Sequence, residues 1–209
     1  MKALRLPLWL FALPAILVAF AANHAPALRL DRTVLDHGEI WRLWTGHWVH
    51  FSTSHLGWNL LVLLLAGAGL ERTHPGWLLR HTLVAAPLVS LILLAAEPAM
   101  LSYGGLSALA TSVVTLLALA QLRAARGDRP LWTAMLVLVA GKVAWEAGHP
   151  GALFSRFDSP EFRPSTFAHA AGAAVALLLA PLWLRRRPPE MKPPGPVAGS
   201  RRQGSGCYP

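Results

Sequence analysis

The stretch "GGLSALATSVVTLLALAQL", residues 104–122, decides how this chain folds. None of its residues is charged. That suits a helix crossing the hydrocarbon core of a bilayer, which takes about 17–25 residues. Two glycines and Ser107 stand at its head. Either these are small residues that let helices pack closely, or Ser107 is a nucleophile held inside a membrane.

Five further apolar runs flank this one: Leu6–Ala22, His55–Leu70, Trp77–Ala96, Leu131–Ala147 and Phe167–Leu184. Turn and breaker residues separate them, in "NHAP", "THPG", "EPAM", "RGDRP" and "GHPG". Unpaired backbone is costly in lipid, so all six runs are expected to be helical. The expected fold is all-α, a polytopic bundle of six transmembrane helices over residues 1–187. Residues 188–209, rich in Pro, Gly and Arg, are expected to form a disordered cytoplasmic tail. The first run also resembles a secretory signal peptide, "A-N-H-A" being a possible cleavage site. A retained first helix is the expectation.

Composition agrees. Of the 209 residues, 54% are hydrophobic and 14% charged, against about 25% charged in a soluble domain. The single cysteine, Cys207, rules out an intramolecular disulfide and a cysteine-based metal site. No metal or cofactor is expected. The net charge of +9 would suit a nucleic-acid partner in a soluble protein. Here it is distributed as an orientation signal. With a cytoplasmic N-terminus, 13 Lys and Arg flank the spans inside and five outside: Arg29, Arg32, Arg42, Arg156 and Arg163. Both termini are expected on the cytoplasmic side of the membrane. The partner is then the lipid bilayer, with no nucleic acid.

In this topology the second, fourth and sixth spans all begin on the outer side. Their outer ends carry His55 and Asn59, then Ser107, then His169. Polar groups at one depth on three helices are functional candidates, because each is expensive unless it faces protein or water. His55 and Asn59 share a helical face at i, i+4. Alone they suit interhelical hydrogen bonding equally well. His169, Gly172 and Ala176 also share a face, and its small residues match Gly104, Gly105, Ala108 and Thr111. Such a seam permits a direct Ser107–His169 contact, or a plain packing interface. Chemically, His169 can be the base that activates the Ser107 hydroxyl. The Ser107 N–H, His55 and Asn59 can stabilise an oxyanion. Gly105 lets the backbone turn sharply before the serine. No acidic residue stands where it would obviously orient His169, so a Ser–His dyad without a third member is expected.

These residues resemble the rhomboid family of intramembrane serine proteases. The likeness lies in "WR" at Trp41–Arg42, "HFSTSHLGWN" at residues 50–59, "GGLS" at residues 104–107 and "AHAAG" at residues 168–172, over roughly residues 39–180. It implies a six-helix core, a catalytic dyad of Ser107 and His169, oxyanion donors at His55 and Asn59, and peptide hydrolysis in or near the membrane. Gly105, Gly172, Trp41 and Arg42 take supporting places. Two positions depart from the family pattern: Ala108 stands where Gly often follows the serine, and Ala176 replaces the second small Gly. Both remain small. The short loops and "KVAWE" resemble the rhombosortase branch. That likeness implies substrates with a C-terminal membrane anchor, the Gly-Gly-type sorting tails of exported bacterial proteins.

Other readings are an inactive rhomboid-like protein that binds transmembrane helices, and a membrane cytochrome with His55 and His169 as haem ligands. Lys142 and Glu146, at i, i+4, each cost about 2.5–3.5 kcal/mol alone at mid-membrane. They suit a structural ion pair or a substrate contact. His47 and His50 are expected to shape the outer loop, and His81 to lie at the inner membrane interface.

Overall fold

The computed structural model describes residues 7–20, 25–34, 36–124, 128–149, 165 and 167–185. The tail beyond 187, Arg156 and Arg163 lie outside the described residues. Each of the six apolar runs falls on a helix: α1 (Pro7–Phe20), α4 (Thr53–Thr73), α5 (Trp77–Ala96), α6 (Ser107–Arg123), α7 (Arg129–Gly148) and α8 (Ala168–Leu184). Between α1 and α4 stand two single-turn helices, α2 (Ala25–Leu28) and α3 (Arg42–Thr45). The protein is an all-α, multi-pass membrane bundle. Three of its helices, α4, α5 and α7, are long and apolar enough to cross a membrane, and α6 and α8 are shorter apolar helices. Their outward Leu and Val side chains, such as Leu65, Val137, Leu138 and Leu178, are exposed where lipid would cover them.

The centre of the bundle is α6. Ten of its residues are buried, among them Ala108, Leu109, Val113, Leu116 and Ala120. Alternating small and large side chains let α4, α5 and α8 close around it. By contrast α7 buries a single residue, Glu146.

Polar contacts fasten the loop between α1 and α4, called outer after its expected side of the membrane, to this bundle. Pro87 lies inside α5 and cannot donate to the carbonyl four residues earlier, that of Leu83. The indole N–H of Trp44 donates to that carbonyl instead, at 3.0 Å. One turn away, His47 Nε2 meets the Ala86 carbonyl at 3.0 Å. Arg32 donates to the carbonyls of Leu94, Glu97 and Pro98 at 2.7–2.9 Å, covering the end of α5, where helical carbonyls lack partners. Strand β1 (Leu30–Asp31) pairs antiparallel with β2 (Ser102–Tyr103), Leu30 opposite Tyr103. The first outer loop is thereby tied to the segment that leads into α6.

His81 packs inside the bundle. It is fully buried, and its Nε2 lies 2.8 Å from the Ser112 hydroxyl of α6. The cost of burying an imidazole is offset by a partner that only the tertiary fold supplies.

Candidate active site

The segment before α6 is held from several sides. Gly104 sits where a Cβ would lie 2.9 Å from the Val49 carbonyl. Gly105 adopts φ +128°, a region open to glycine and unfavourable for other residues. A Cβ there would stand 2.6 Å from His55 Cε1, 2.8 Å from His55 Nε2 and 3.5 Å from Asn59 Nδ2. Both polar side chains of α4 therefore lie directly over the backbone two residues before Ser107. The Tyr103 hydroxyl donates to the Gly105 carbonyl at 2.9 Å. The Gly105 N–H reaches the Gly46 carbonyl at 3.3 Å.

His50 completes this framework. Its Nδ1 lies 2.9 Å from the Trp48 carbonyl, to which it can only donate. Its Nε2 accepts from the Leu106 N–H at 3.4 Å. The ring is thus held neutral, in agreement with burial lowering its pKa to about 4. His47 is lowered to about 4 for the same reason. Both shape the outer loop, as expected from the sequence.

Ser107 is the first residue of α6 and is half-buried. Its N–H precedes the first turn and has no intrahelical carbonyl to bond. Asn59 is buried, and its Nδ2 has no hydrogen-bond partner among the described residues. His55, in the first turn of α4, gives its backbone N–H to the Ser52 hydroxyl at 3.0 Å. Its ring lies 5.0 Å from that of His50, edge to face.

His169 reaches this region through the close packing of α8 on α6. A Cβ on Gly172 would fall 2.0 Å from the Ala108 carbonyl oxygen, so no side chain fits between the two backbones. That contact is one residue past Ser107 and three past His169. It forms although Ala108 stands in place of glycine, and Ala176 is likewise fully buried. His169 retains 17% side-chain exposure.

The expectation that His169 lacks an acidic neighbour is overturned. Its Nδ1 lies 2.7 Å from Glu146 Oε2, and the other carboxylate oxygen takes the Lys142 ammonium. The carboxylate approaches His169 without the alignment of a good hydrogen bond. Neither Nδ1 nor Oε2 has a hydrogen-bond partner among the described residues. The Lys142–Glu146 ion pair thus exists, and one of its members also faces the site.

Trp41 and Arg42 stand apart from these groups. Arg42 pairs with Asp31 at 2.6 Å and Glu39 at 2.7 Å, and donates to the Pro26 and Arg29 carbonyls. It organises the outer loop. Trp41 is half-exposed and borders an apolar cavity of about 600 Å³ between that loop and α5. Ser107, His169, His55 and Asn59 do not line it.

The Rhomboid domain family profile matches residues 37–186, which include His55, Asn59, Ser107, Glu146 and His169. No curated protein matches the chain.

Proposed function

Because the chain belongs to the rhomboid family, whose members are in general intramembrane serine proteases and in some cases inactive, we propose that it is an active endopeptidase using Ser107 and His169. The Ser107 oxygen attacks the scissile carbonyl carbon as His169 takes the hydroxyl proton. The Ser107 N–H, His55 and Asn59 stabilise the oxyanion. Collapse of the intermediate breaks the C–N bond, and His169 returns the proton to the leaving amine. Water then hydrolyses the acyl ester and regenerates Ser107.

One observation carries this reading. The Gly172–Ala108 contact brings the first turns of α6 and α8 together, while His55 and Asn59 cover the backbone just ahead of Ser107. Activated nucleophile and oxyanion donors are needed at one spot, and this packing supports that.

The substrates we propose are exported bacterial proteins with a C-terminal Gly-Gly-type sorting tail anchored in the membrane. The basic flanks support an inner-membrane protein with both termini cytoplasmic and the site facing the periplasm. The test is cleavage of a reporter bearing such a tail, alongside fluorophosphonate labelling mapped to a residue. Wild type should cleave and label at Ser107. Ser107→Ala and His169→Ala should lose at least about 10⁴-fold in kcat, as expected for members of a catalytic unit. Intact, folded wild type that binds the reporter but never cleaves or labels would identify an inactive helix-binding rhomboid instead.

A further inference from the structure

α7 is largely apolar, one face of it through Trp132, Met135, Val139 and Val143 is half-buried, and Glu146 is its one buried residue. A carboxylate 4% exposed in such a helix is costly unless charges and donors meet it. Lys142, one turn away, would satisfy it as a surface pair, with both groups facing outward. The observed arrangement differs. One oxygen takes Lys142 and the other turns inward to His169 Nδ1 at 2.7 Å. Among the described residues neither inward-facing atom has a hydrogen-bond partner.

We propose that Glu146 is a positioning residue for His169, fixing the ring with its proton on Nδ1 so that Nε2 is the lone pair presented toward Ser107. The inference rests on the proteolytic reading above. A carboxylate can only accept from Nδ1, which selects one tautomer. As the Ser107 oxygen bonds to the substrate carbon, its proton moves to Nε2, and the resulting imidazolium lies against an ionised carboxylate. Glu146 takes up no proton. The proton on Nε2 later leaves with the amine. Lys142 is the counter-charge that keeps the carboxylate ionised within the bundle. The imperfect alignment in the substrate-free protein is ordinary, since catalytic hydrogen bonds often tighten only in the Michaelis complex. The constellation is a serine, histidine and acid in sequence-distant positions, an arrangement that recurs on unrelated folds.

The experiment uses the full-length protein in detergent, with ¹⁵N-labelled histidine and the tailed reporter. The His169 signals are assigned by their loss in His169→Gln. Wild type should show Nδ1 protonated, whereas in Glu146→Gln the single amide oxygen goes to the Lys142 ammonium and the NH2 group faces Nδ1, so the proton should move to Nε2. Glu146→Ala should show mixed tautomers. In Glu146→Ala and Glu146→Gln, kcat should fall about 10²-fold with KM within about twofold. That is less than the about 10⁴-fold seen when the acid of a serine-protease triad is neutralised, because Lys142 already offsets part of the charge. Glu146→Asp should recover at least about tenfold of the loss. A purely structural ion pair predicts otherwise: lowered thermal stability, an unchanged tautomer and kcat near wild type. That result overturns the proposal, as does a wild-type ring protonated on Nε2. If Glu146→Ala does not fold, the near-isosteric Glu146→Gln decides through kcat. Wild type that neither cleaves nor labels at Ser107, yet whose His169 tautomer follows residue 146, removes the protease reading and supports the pairing.

Discussion

Two regions of this bundle set an imidazole on one helix near a serine-bearing stretch of α6. In the inner one, His81 and Ser112 are hydrogen-bonded at 2.8 Å and completely buried, with Trp183 edge-on to the ring. In the outer one, Ser107 and His169 are only partly buried and stand at the first turns of α6 and α8. Ser112 lies mid-helix, where its N–H belongs to the helical ladder. Ser107 lies at the helix start, where its N–H is free of that ladder. Two glycines precede Ser107, and Asn59 brings an Nδ2 without a hydrogen-bond partner among the described residues. Beside Ser112, His81 Nδ1 and Trp183 Nε1 also lack partners among the described residues, but no glycine turn leads into that serine. In the function proposed above, access for substrate and donors for developing charge set the Ser107 region apart, rather than a serine–histidine hydrogen bond.

The strongest way to break this contrast is at Gly172. A valine there would drive its Cβ into the Ala108 carbonyl, forcing α6 and α8 apart. Gly172→Val should reduce cleavage by more than about 10³-fold and lower the thermal midpoint, combining a misplaced base with overpacking. Gly57→Ala on α4 is the control, since a Cβ there meets nothing within 4 Å, and its kcat should stay near wild type. Retained activity in Gly172→Val would show that close helix approach does not assemble the site.

A crossed pair of substitutions sharpens the same contrast. Asn59→Ala should lower kcat about 10²–10³-fold with little loss of stability, because it removes an oxyanion donor whose Nδ2 has no hydrogen-bond partner to lose among the described residues. Ser112→Ala should do the reverse. It leaves His81 Nε2 without its hydroxyl, costing about 1–3 kcal/mol of stability, and kcat should remain within about twofold. Thermal unfolding in detergent and initial rates on one reporter read both. Loss of kcat in folded Ser112→Ala would mean that the two regions are coupled.

How far these differences were legible in the sequence depends on the range of the interaction. Uncharged runs of sufficient length dictate helices locally, so α5 spans Trp77–Ala96 as expected and the other runs differ by a few residues at their ends. The run opening at Gly104 begins its helix only at Ser107, because Gly105 at positive φ belongs to the turn. Ser107, His169, His55 and Asn59 stand out as polar residues at one depth, and small residues at i, i+3 mark the seam that joins α6 to α8. The partners of His81 and Glu146 on other helices escape the sequence for a shared reason. Each had a sufficient local explanation, a membrane interface for His81 and Lys142 at i−4 for Glu146. The partners that matter, Ser112 and His169, come from other helices. Which way α7 turns Glu146 is set by tertiary packing, and no periodicity within α7 encodes it.

The smallest expected effect concerns the histidines that frame the outer region. Burial holds both His47 and His50 at a pKa of about 4, below the ordinary 6.5. Above about pH 6.5 these rings are neutral whether the chain is folded or unfolded, and they add no pH dependence. Between about pH 6.5 and 4 the unfolded chain binds protons that the folded one refuses, so stability declines as pH falls. Below about pH 4 both states are protonated and the decline levels off. The thermal midpoint should therefore drop from pH 7.5 to pH 5. His50→Gln removes one of the two titrating rings while its amide oxygen can still accept from the Leu106 N–H, so its midpoint should fall less steeply. Equal steepness in the two proteins would place the acid sensitivity elsewhere, and the outer framework would then owe its order to β1–β2 pairing and Arg42 rather than to neutral imidazoles.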